Sequence, residues 1–175
     1  MIETLISSKT RIKLLLKFFL NSSNKAYLRG LEEEFGESTN AIRLELNRFE
    51  QVGMINSDVE GNKKYFTANK KHPLFPDLQS IVKKHIGIDI IIENVLKNLG
   101  DVHKVYLTGD FAKGLNADLI DLELIGTIDT TYFADLIKKA EGLIKRRIRY
   151  LVYSVDEYSI MNNNDDRKVL IWSKQ

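Results

Sequence analysis

The order of helix start and stop signals in the first 53 residues is the feature that most constrains how this chain folds. Ser8 and Ser38 are of a type that caps helix N-termini, while Gly36 and Gly53 suit the left-handed residue that ends a helix. Between these signals, apolar residues recur at helical spacing. The predicted helices are Lys9–Leu20, Leu28–Phe35 and Thr39–Val52. The last two are joined by a tight turn that contains glycine, which is typical of a helix-turn-helix.

A β-hairpin is predicted directly after the third helix. Met54–Ile55 and Lys64–Phe66 are short strand-forming runs, and the polar segment 58–63 between them is rich in turn-forming residues. Three helices followed by a hairpin, all within the first 72 residues, is the element order of a winged helix.

A helical linker is predicted after Pro73 and Pro76. The apolar spacing from Asp77 to Leu99 predicts a long helix with a break near Gly87. Its excess of apolar residues makes this helix a candidate face for homodimerisation.

Beyond Gly100 the chain alternates between short strands and helices. The strands are predicted at Val105–Leu107, Asp121–Ile125, Arg147–Ser154 and Val169–Trp172, with a helix at Tyr132–Leu143 and a helical turn at Asp156–Ile160. We therefore predict an α+β protein with a winged helix-turn-helix at residues 1–72, a helical linker at 73–100 and a small α/β domain at 101–175.

Composition excludes several classes of protein. The chain has 175 residues and no cysteine, which excludes a disulfide framework, thiolate metal sites and cysteine nucleophiles. The apolar run Ile12–Leu20 is interrupted by Lys13 and Lys17 and is about half of the ~20 residues that a membrane span requires. We expect a cytoplasmic protein with no membrane partner.

The third predicted helix carries polar side chains at its start and on its outer side. Hydroxyl groups at a helix N-terminus suit phosphate oxygens, and Asn and Arg side chains hydrogen-bond base edges in the major groove of double-stranded DNA. Lysines at the hairpin tip would meet the flanking backbone, with Arg11 and Lys25 as further candidates for phosphate contact. The predicted DNA-binding residues are Ser38, Thr39, Asn40, Arg43, Asn47, Lys63 and Lys64.

Charge supports an anionic partner only weakly. Residues 1–72 carry 12 basic against 9 acidic side chains, and residues 73–175 carry 14 against 15. An exposed polar helix is also simply well solvated, and winged helices serve in protein interaction too. A module that does not bind DNA therefore remains an alternative.

The N-terminal 70 residues resemble the arsenic-repressor-like winged-helix regulators. The resemblance depends on Ser8–Leu15, Leu28–Leu31 and Ser38–Ile55. It implies a transcriptional regulator that binds DNA. Metal-sensing members of that family use cysteines or clusters of histidine and carboxylate, whereas this chain has no cysteine and three scattered histidines, so metal sensing does not carry over.

A second motif begins at the strand Val105–Leu107. A Thr108–Gly114 loop follows, and then Asp121 and Glu123, separated by one apolar residue. Alternate strand positions place both carboxylates on one side of a strand, where they can hold Mg²⁺ for phosphoryl transfer. This pattern is similar to the signature of the minimal nucleotidyltransferases of the polymerase-beta superfamily. The resemblance implies nucleotide contacts at Gly109, Asp110 and Lys113 and metal contacts at Asp121 and Glu123.

The second motif departs from that signature in ways that favour a fold retained without activity. Asp110 stands where the family has serine, and Arg147 and Arg149 occupy the region that usually supplies a third carboxylate. In an alternative register, Leu119 takes the first carboxylate position and the metal site is lost.

We therefore expect a homodimeric, sequence-specific transcriptional regulator and no catalytic residues. Its C-terminal domain would serve in dimerisation, partner binding or sensing of a small-molecule or nucleotide effector, for which the basic run 145–149 is a candidate. No cofactor is expected, with Mg²⁺ required only if the domain is active. An active nucleotidyltransferase that modifies a protein or RNA is the alternative.

Overall fold

The protein has a mixed α+β fold, seen here in a computed structural model that describes residues 2–96, 99, 101–161 and 168–174. It divides into two compact units. Unit 1 comprises residues 1–85 and 113–116, and unit 2 comprises residues 86–112 and 117–175. None of the helices within the described residues has the length and apolar character needed to cross a membrane.

The helices of unit 1 begin and end at the signals that the sequence predicts. Ser8 Oγ accepts a hydrogen bond from the Arg11 amide, Gly36 is left-handed with φ of 62°, and Ser38 Oγ accepts from the Ala41 amide. The helices are α1 (Ile2–Leu5), α2 (Lys9–Leu15) with a π-helical turn (Leu16–Leu20), α3 (Leu28–Phe35) and α4 (Thr39–Gln51). The short α1 and the π-helical form of the turn were not predicted.

Unit 1 also contains a small antiparallel sheet. Its strands are β1 (Lys25–Tyr27), β2 (Ile55–Glu60) and β3 (Lys63–Ala68), in the order β1-β3-β2. The predicted hairpin is therefore confirmed, with longer strands. The sequence did not predict β1, because a strand of three residues carries almost no periodicity and forms here by pairing with β3.

The predicted break in the linker helix is also confirmed. α5 spans Phe75–Ile86 and α6 spans Ile88–Asn94, with Gly87 between them at φ of 96°. A Cβ at Gly87 would lie 2.6 Å from Ile144 Cγ2 within unit 2, so a glycine is required there for space as well as for its backbone angle. Residues 97 and 98, at the predicted end of this helix, lie outside the described residues.

Unit 2 is built on a second sheet, and its elements are β4 (Asp101–Thr108), α7 (Gly109–Ala112), β5 (Leu119–Thr127), α8 (Thr130–Ile144), β6 (Arg147–Tyr153), α9 (Val155–Ile160) and β7 (Val169–Ser173). The strand order is β6-β5-β4-β7. β5 and β6 are parallel and are connected through α8, while β4 pairs antiparallel with β5 and β7. The four predicted strands and both predicted helices are present, whereas the short α7 was not predicted.

Candidate functional site

Helix α4 has one apolar face and one polar face. Ile42, Leu46 and Phe49 are buried, whereas Arg43 and Asn47 are exposed. This is the division that the helical spacing predicts. Of the predicted DNA-binding residues, Ser38, Asn40, Arg43, Asn47, Lys63 and Lys64 are exposed and Thr39 is half-buried.

A buried carboxylate fixes α4 against α2. Glu45 is only 4% exposed, and its two oxygens accept hydrogen bonds from Arg11 Nε at 2.9 Å and Nη2 at 3.2 Å. Ser8 Oγ and Arg48 Nη1 also donate to Glu45. Burial opposes the charge on Glu45, but these donors and the two guanidinium charges outweigh it, so the pKa of Glu45 lies below its ordinary value. Arg11, a candidate for phosphate contact, is thus engaged in holding α4.

The hairpin tip presents two lysines with different surroundings. Gly61 turns the chain between β2 and β3 with φ of 61°. Lys64 Nζ donates to Glu50 at 2.8 Å, and Lys63 Nζ lies 4.3 Å from the centre of the Tyr27 ring. Lys25, the other candidate for phosphate contact, pairs with Glu60.

A concave surface lies between α4, the start of α3 and the hairpin, and we call it the α4 groove. It encloses about 520 Å³. Its base includes the buried side chains of Leu46 and Phe66, with the half-buried Tyr27 and Leu28 beside them. Its polar lining consists of Arg29, Arg43, Asn47, Asn62, Lys63 and Lys64. Four of the seven predicted DNA-binding residues therefore meet at one place, while Ser38, Thr39 and Asn40 are not among its lining residues.

Charge in the α4 groove has one sign. Among the described residues, every ionisable side chain that lines it, apart from the Tyr27 phenol, is a lysine or arginine. Within that same part of the chain, Arg29 and Arg43 form no ion pair with a carboxylate, and both side chains are exposed. Among the described residues, the groove thus has two exposed cations without a carboxylate partner.

The second motif is assembled in unit 2 around the end of β4. Gly109 follows β4 with φ of 65°, and a Cβ at this position would overlap the Oδ2 atom of Asp121. Asp121 and Glu123 occupy alternate positions on β5, and Ile120, Leu122 and Leu124 on its other side are buried. The predicted placement of both carboxylates on one side of the strand is therefore present.

Each of these carboxylates already has a cationic partner. Arg149 Nε, on the neighbouring strand, lies 2.5 Å from Asp121 Oδ1, and this contact raises the pKa of Arg149. Lys168 Nζ lies 2.5 Å from Glu123 Oε2, and the side chains of this second pair are only 8% and 13% exposed. The two negative charges of the motif are therefore balanced within the chain.

Aromatic rings surround the Glu123–Lys168 pair. The Tyr158 ring stacks on Tyr106 with centroids 5.9 Å apart, and Lys168 Nζ lies 5.6 Å from the Tyr158 centroid. Burial, together with Tyr106 and the Glu123 charge, raises the pKa of Tyr158 to about 12. The phenol of Tyr158 is therefore neutral at physiological pH.

Within the described residues, the carboxylates of the motif are held by protein partners and are not arranged around a shared metal position. Within the described ranges, no group of three or more His, Asp or Glu side chains is arranged to hold a metal ion. Asp121 and Glu123 are occupied by Arg149 and Lys168, which are the wrong partners for carboxylates that must coordinate Mg²⁺. Gly109 and Asp110 lie in unit 2, whereas Lys113 belongs to unit 1, where its carbonyl accepts from Lys17 Nζ at 2.9 Å.

Several residues of these sites have little or no local signal in the sequence. Arg29 and Tyr27 lie upstream of the helix that carries the predicted contacts, and only the tertiary fold brings them to Arg43. Lys168 is 45 residues from Glu123 and belongs to no local pattern. Glu45 had a weak signal, because it occupies a helix position next to Leu46 and follows Ile42 by three residues.

Comparison with known proteins leaves the family open. No family model and no curated protein matches the chain. Among solved structures, the chain is similar to the crystal structure of the AF1382 protein of Archaeoglobus fulgidus. That similarity has 19% sequence identity and a TM-score of 0.39, and it covers 54% of this chain and 99% of the other.

Proposed function

We propose that this protein is a sequence-specific DNA-binding transcriptional regulator that acts as a homodimer and reads DNA through a winged helix in unit 1. The observation that carries the proposal is the meeting of Arg43, Asn47, Lys63 and Lys64 in a groove lined by cations and, among the described residues, by no acid. The element order, with α3 and α4 followed by the β2–β3 hairpin, supports the same assignment.

The two edges of the α4 groove would contact different parts of the DNA. Arg43 and Asn47 project from the exposed side of α4 and suit base edges in the major groove, since both side chains form bidentate hydrogen bonds. Lys63 and Lys64 on the hairpin suit phosphates of the flanking backbone. Ser38, which already caps α4, and its neighbours Thr39 and Asn40 suit a phosphate at the start of that helix.

Unit 2 would then be an accessory domain with a nucleotidyltransferase-like fold. The ion pairs of Asp121 and Glu123 support a role without catalysis, since both carboxylates already have protein partners. Dimerisation through the helical segment 73–100 would join two winged helices, and two half-sites read together multiply the affinity of either. Ile81 of α5 remains exposed and suits such a face.

The proposal is tested by titrating the full-length protein with genomic DNA fragments, its own upstream region included, across a series of salt concentrations. Arg43→Ala removes a predicted base contact, and Arg147→Ala removes the same charge from an exposed position in unit 2. We expect Arg43→Ala to weaken binding to preferred fragments by about 1–3 kcal/mol and to relax selectivity. Arg147→Ala is expected to bind as the wild type does.

The phosphate contacts are tested in the same titration. Replacing Lys63 and Lys64 together by alanine should weaken binding to all fragments alike and reduce the salt slope by about two. Absence of salt-dependent binding by a folded wild-type protein would overturn the proposal and favour a protein-interaction module.

A further inference from the structure

The α4 groove has two properties that contact with a DNA backbone does not require: it is concave, and its base is apolar. Its volume of about 520 Å³ falls within the range of roughly 300–1,000 Å³ that is usual for small-molecule sites. The buried side chains of Leu46 and Phe66 line it, and four cationic side chains surround them. A site of this kind offers both apolar contact and charge to one ligand.

The aromatic wall of the groove is held in place by its neighbours. The Tyr27 ring lies against Gly30 of α3, where a Cβ would come within 3.1 Å of the ring. Tyr65 packs edge-on against the same ring, with centroids 5.5 Å apart. The wall is therefore formed before any ligand arrives, and a flat ligand has only to displace the Lys63 ammonium group, which lies 4.3 Å from the centre of the Tyr27 ring.

Charge selects the kind of ligand. Arg29 and Arg43 form no ion pair among the described residues, and the guanidinium group recognises the planar oxygens of a carboxylate or sulfonate with two hydrogen bonds. An inorganic anion would leave the apolar base uncovered, and a neutral aromatic molecule would use neither arginine. The lining is complementary to an anion that has an aromatic body.

We infer that the α4 groove binds a small aromatic carboxylate or sulfonate, with its anionic group against Arg29 and Arg43 and its rings against Tyr27, Leu46 and Phe66. Because Arg43 also lies on the surface that we assign to DNA, the small anion and DNA exclude one another. This second statement rests on the proposed function, whereas the first does not. The groove would thus make the protein release DNA in response to an amphipathic anion.

The binding of the anion is tested without DNA. The probe is 1-anilinonaphthalene-8-sulfonate, whose fluorescence rises in an apolar site, and its matched control is the uncharged N-phenyl-1-naphthylamine. We expect one saturable site per chain on the wild type and at least tenfold weaker binding of the uncharged compound. Arg29→Gln/Arg43→Gln should lose at least tenfold in affinity for the sulfonate, and Lys139→Gln, at an exposed position of α8, should keep it.

Folding is controlled in each variant by far-ultraviolet circular dichroism and by the urea midpoint, because this probe also binds partly unfolded chains. Equal affinity for both probes, or equal affinity of Arg29→Gln/Arg43→Gln and wild type, would overturn the anion site. Lack of saturable binding to the folded wild type would overturn it as well.

The exclusion of DNA is tested by adding the sulfonate to a preformed complex with a preferred fragment. Release of DNA with a midpoint that rises with DNA concentration supports a shared surface. A stable complex that holds probe and DNA together overturns the exclusion while leaving the anion site intact. If the wild type binds the sulfonate but no DNA at any salt concentration, the proposed function fails and the anion site stands.

Discussion

The charged residues of the two candidate sites differ in whether they have an oppositely charged partner within the chain. In unit 1 the α4 groove carries Arg29 and Arg43 with no carboxylate partner among the described residues. In unit 2 the conspicuous carboxylates, Asp121 and Glu123, are each paired with a cation of the same chain. In this chain the comparison separates arginines without a carboxylate partner among the described residues from carboxylates that already have one.

The difference has a physical cause in the depth of the charges. Arg43 is exposed and well solvated, so leaving it without a partner costs little. Glu123 and Lys168 are largely shielded from water, and a charge at that depth needs a partner of opposite sign. The arginines of the α4 groove therefore stay available for a ligand, while the Glu123–Lys168 pair satisfies charges in the interior of unit 2.

The largest expected effect comes from breaking the shielded pair in unit 2. Lys168→Met keeps much of the side-chain volume but leaves Glu123 without its cation, and we expect a loss of about 3 kcal/mol in the free energy of unfolding. Trp172, the single tryptophan, lies on β7 of unit 2, so urea unfolding followed by its fluorescence reports on this unit.

A second variant separates loss of the pair from loss of lysine packing. Glu123→Gln/Lys168→Met removes both charges and should recover most of the stability that Lys168→Met loses. A rise of the Trp172 midpoint with millimolar Mg²⁺ in the wild type, absent in Asp121→Asn, would contradict the internal pairing. That result would favour the alternative that the protein is an active nucleotidyltransferase.

Alanine substitutions at two glycines with nearly the same backbone angle measure how much the close contact in the motif of unit 2 contributes to stability. Gly109 and Gly36 have φ of 65° and 62°, but a Cβ would overlap Asp121 at Gly109 and meet nothing within 4 Å at Gly36. We expect Gly109→Ala to cost about 2 kcal/mol and Gly36→Ala about 1 kcal/mol, as measured by urea unfolding. Equal losses in the free energy of unfolding would show that the contact between position 109 and Asp121 does not affect stability.

The anchor of α4 is expected to have a smaller effect that depends on pH. Glu45→Gln weakens the hydrogen bonds from Arg11 and should cost about 1.5 kcal/mol at pH 7, while Glu33→Gln, at an exposed position, should cost almost nothing. Because the pKa of Glu45 is lowered in the folded state, its contribution is complete above the ordinary glutamate pKa. It is lost as pH falls through the lowered value.

The pH dependence gives the measurement for Glu45. Urea unfolding followed by far-ultraviolet circular dichroism, at several pH values between 3 and 7, should show the gap between wild type and Glu45→Gln closing at the acid end. A gap that stays constant over this range would mean that the charge of Glu45 does not stabilise α4.

The smallest effect on stability is expected at the hairpin. Lys64→Gln removes an exposed ion pair with Glu50 and should change the free energy of unfolding by less than about 1 kcal/mol. The same substitution should reduce the salt slope of DNA binding by about one, since one phosphate contact is lost. A salt slope equal to that of the wild type would remove Lys64 from the proposed interface.

Local signals account for most of what could be predicted from the sequence. The capping serines Ser8 and Ser38 and the left-handed Gly36 predict helix ends because each satisfies backbone groups within its own turn. The alternation of polar and apolar residues around Asp121 predicts a strand and places the carboxylates of Asp121 and Glu123 on the same side of it. By contrast, β1 has no such signal, because only its pairing with β3 makes it a strand.

The sequence by itself determined the approximate bounds of the longer helices and which face of α4 carries its polar side chains, whereas α1, α7 and β1 were not predicted. Only the tertiary structure decided which charges remain available. It brings Arg29 to Arg43 in the α4 groove, and it places Lys168 against Glu123 across 45 positions of the chain. The reason is that caps and periodicity act over a few residues, whereas the pairing of a charge depends on every chain segment that folds within a few ångströms of it.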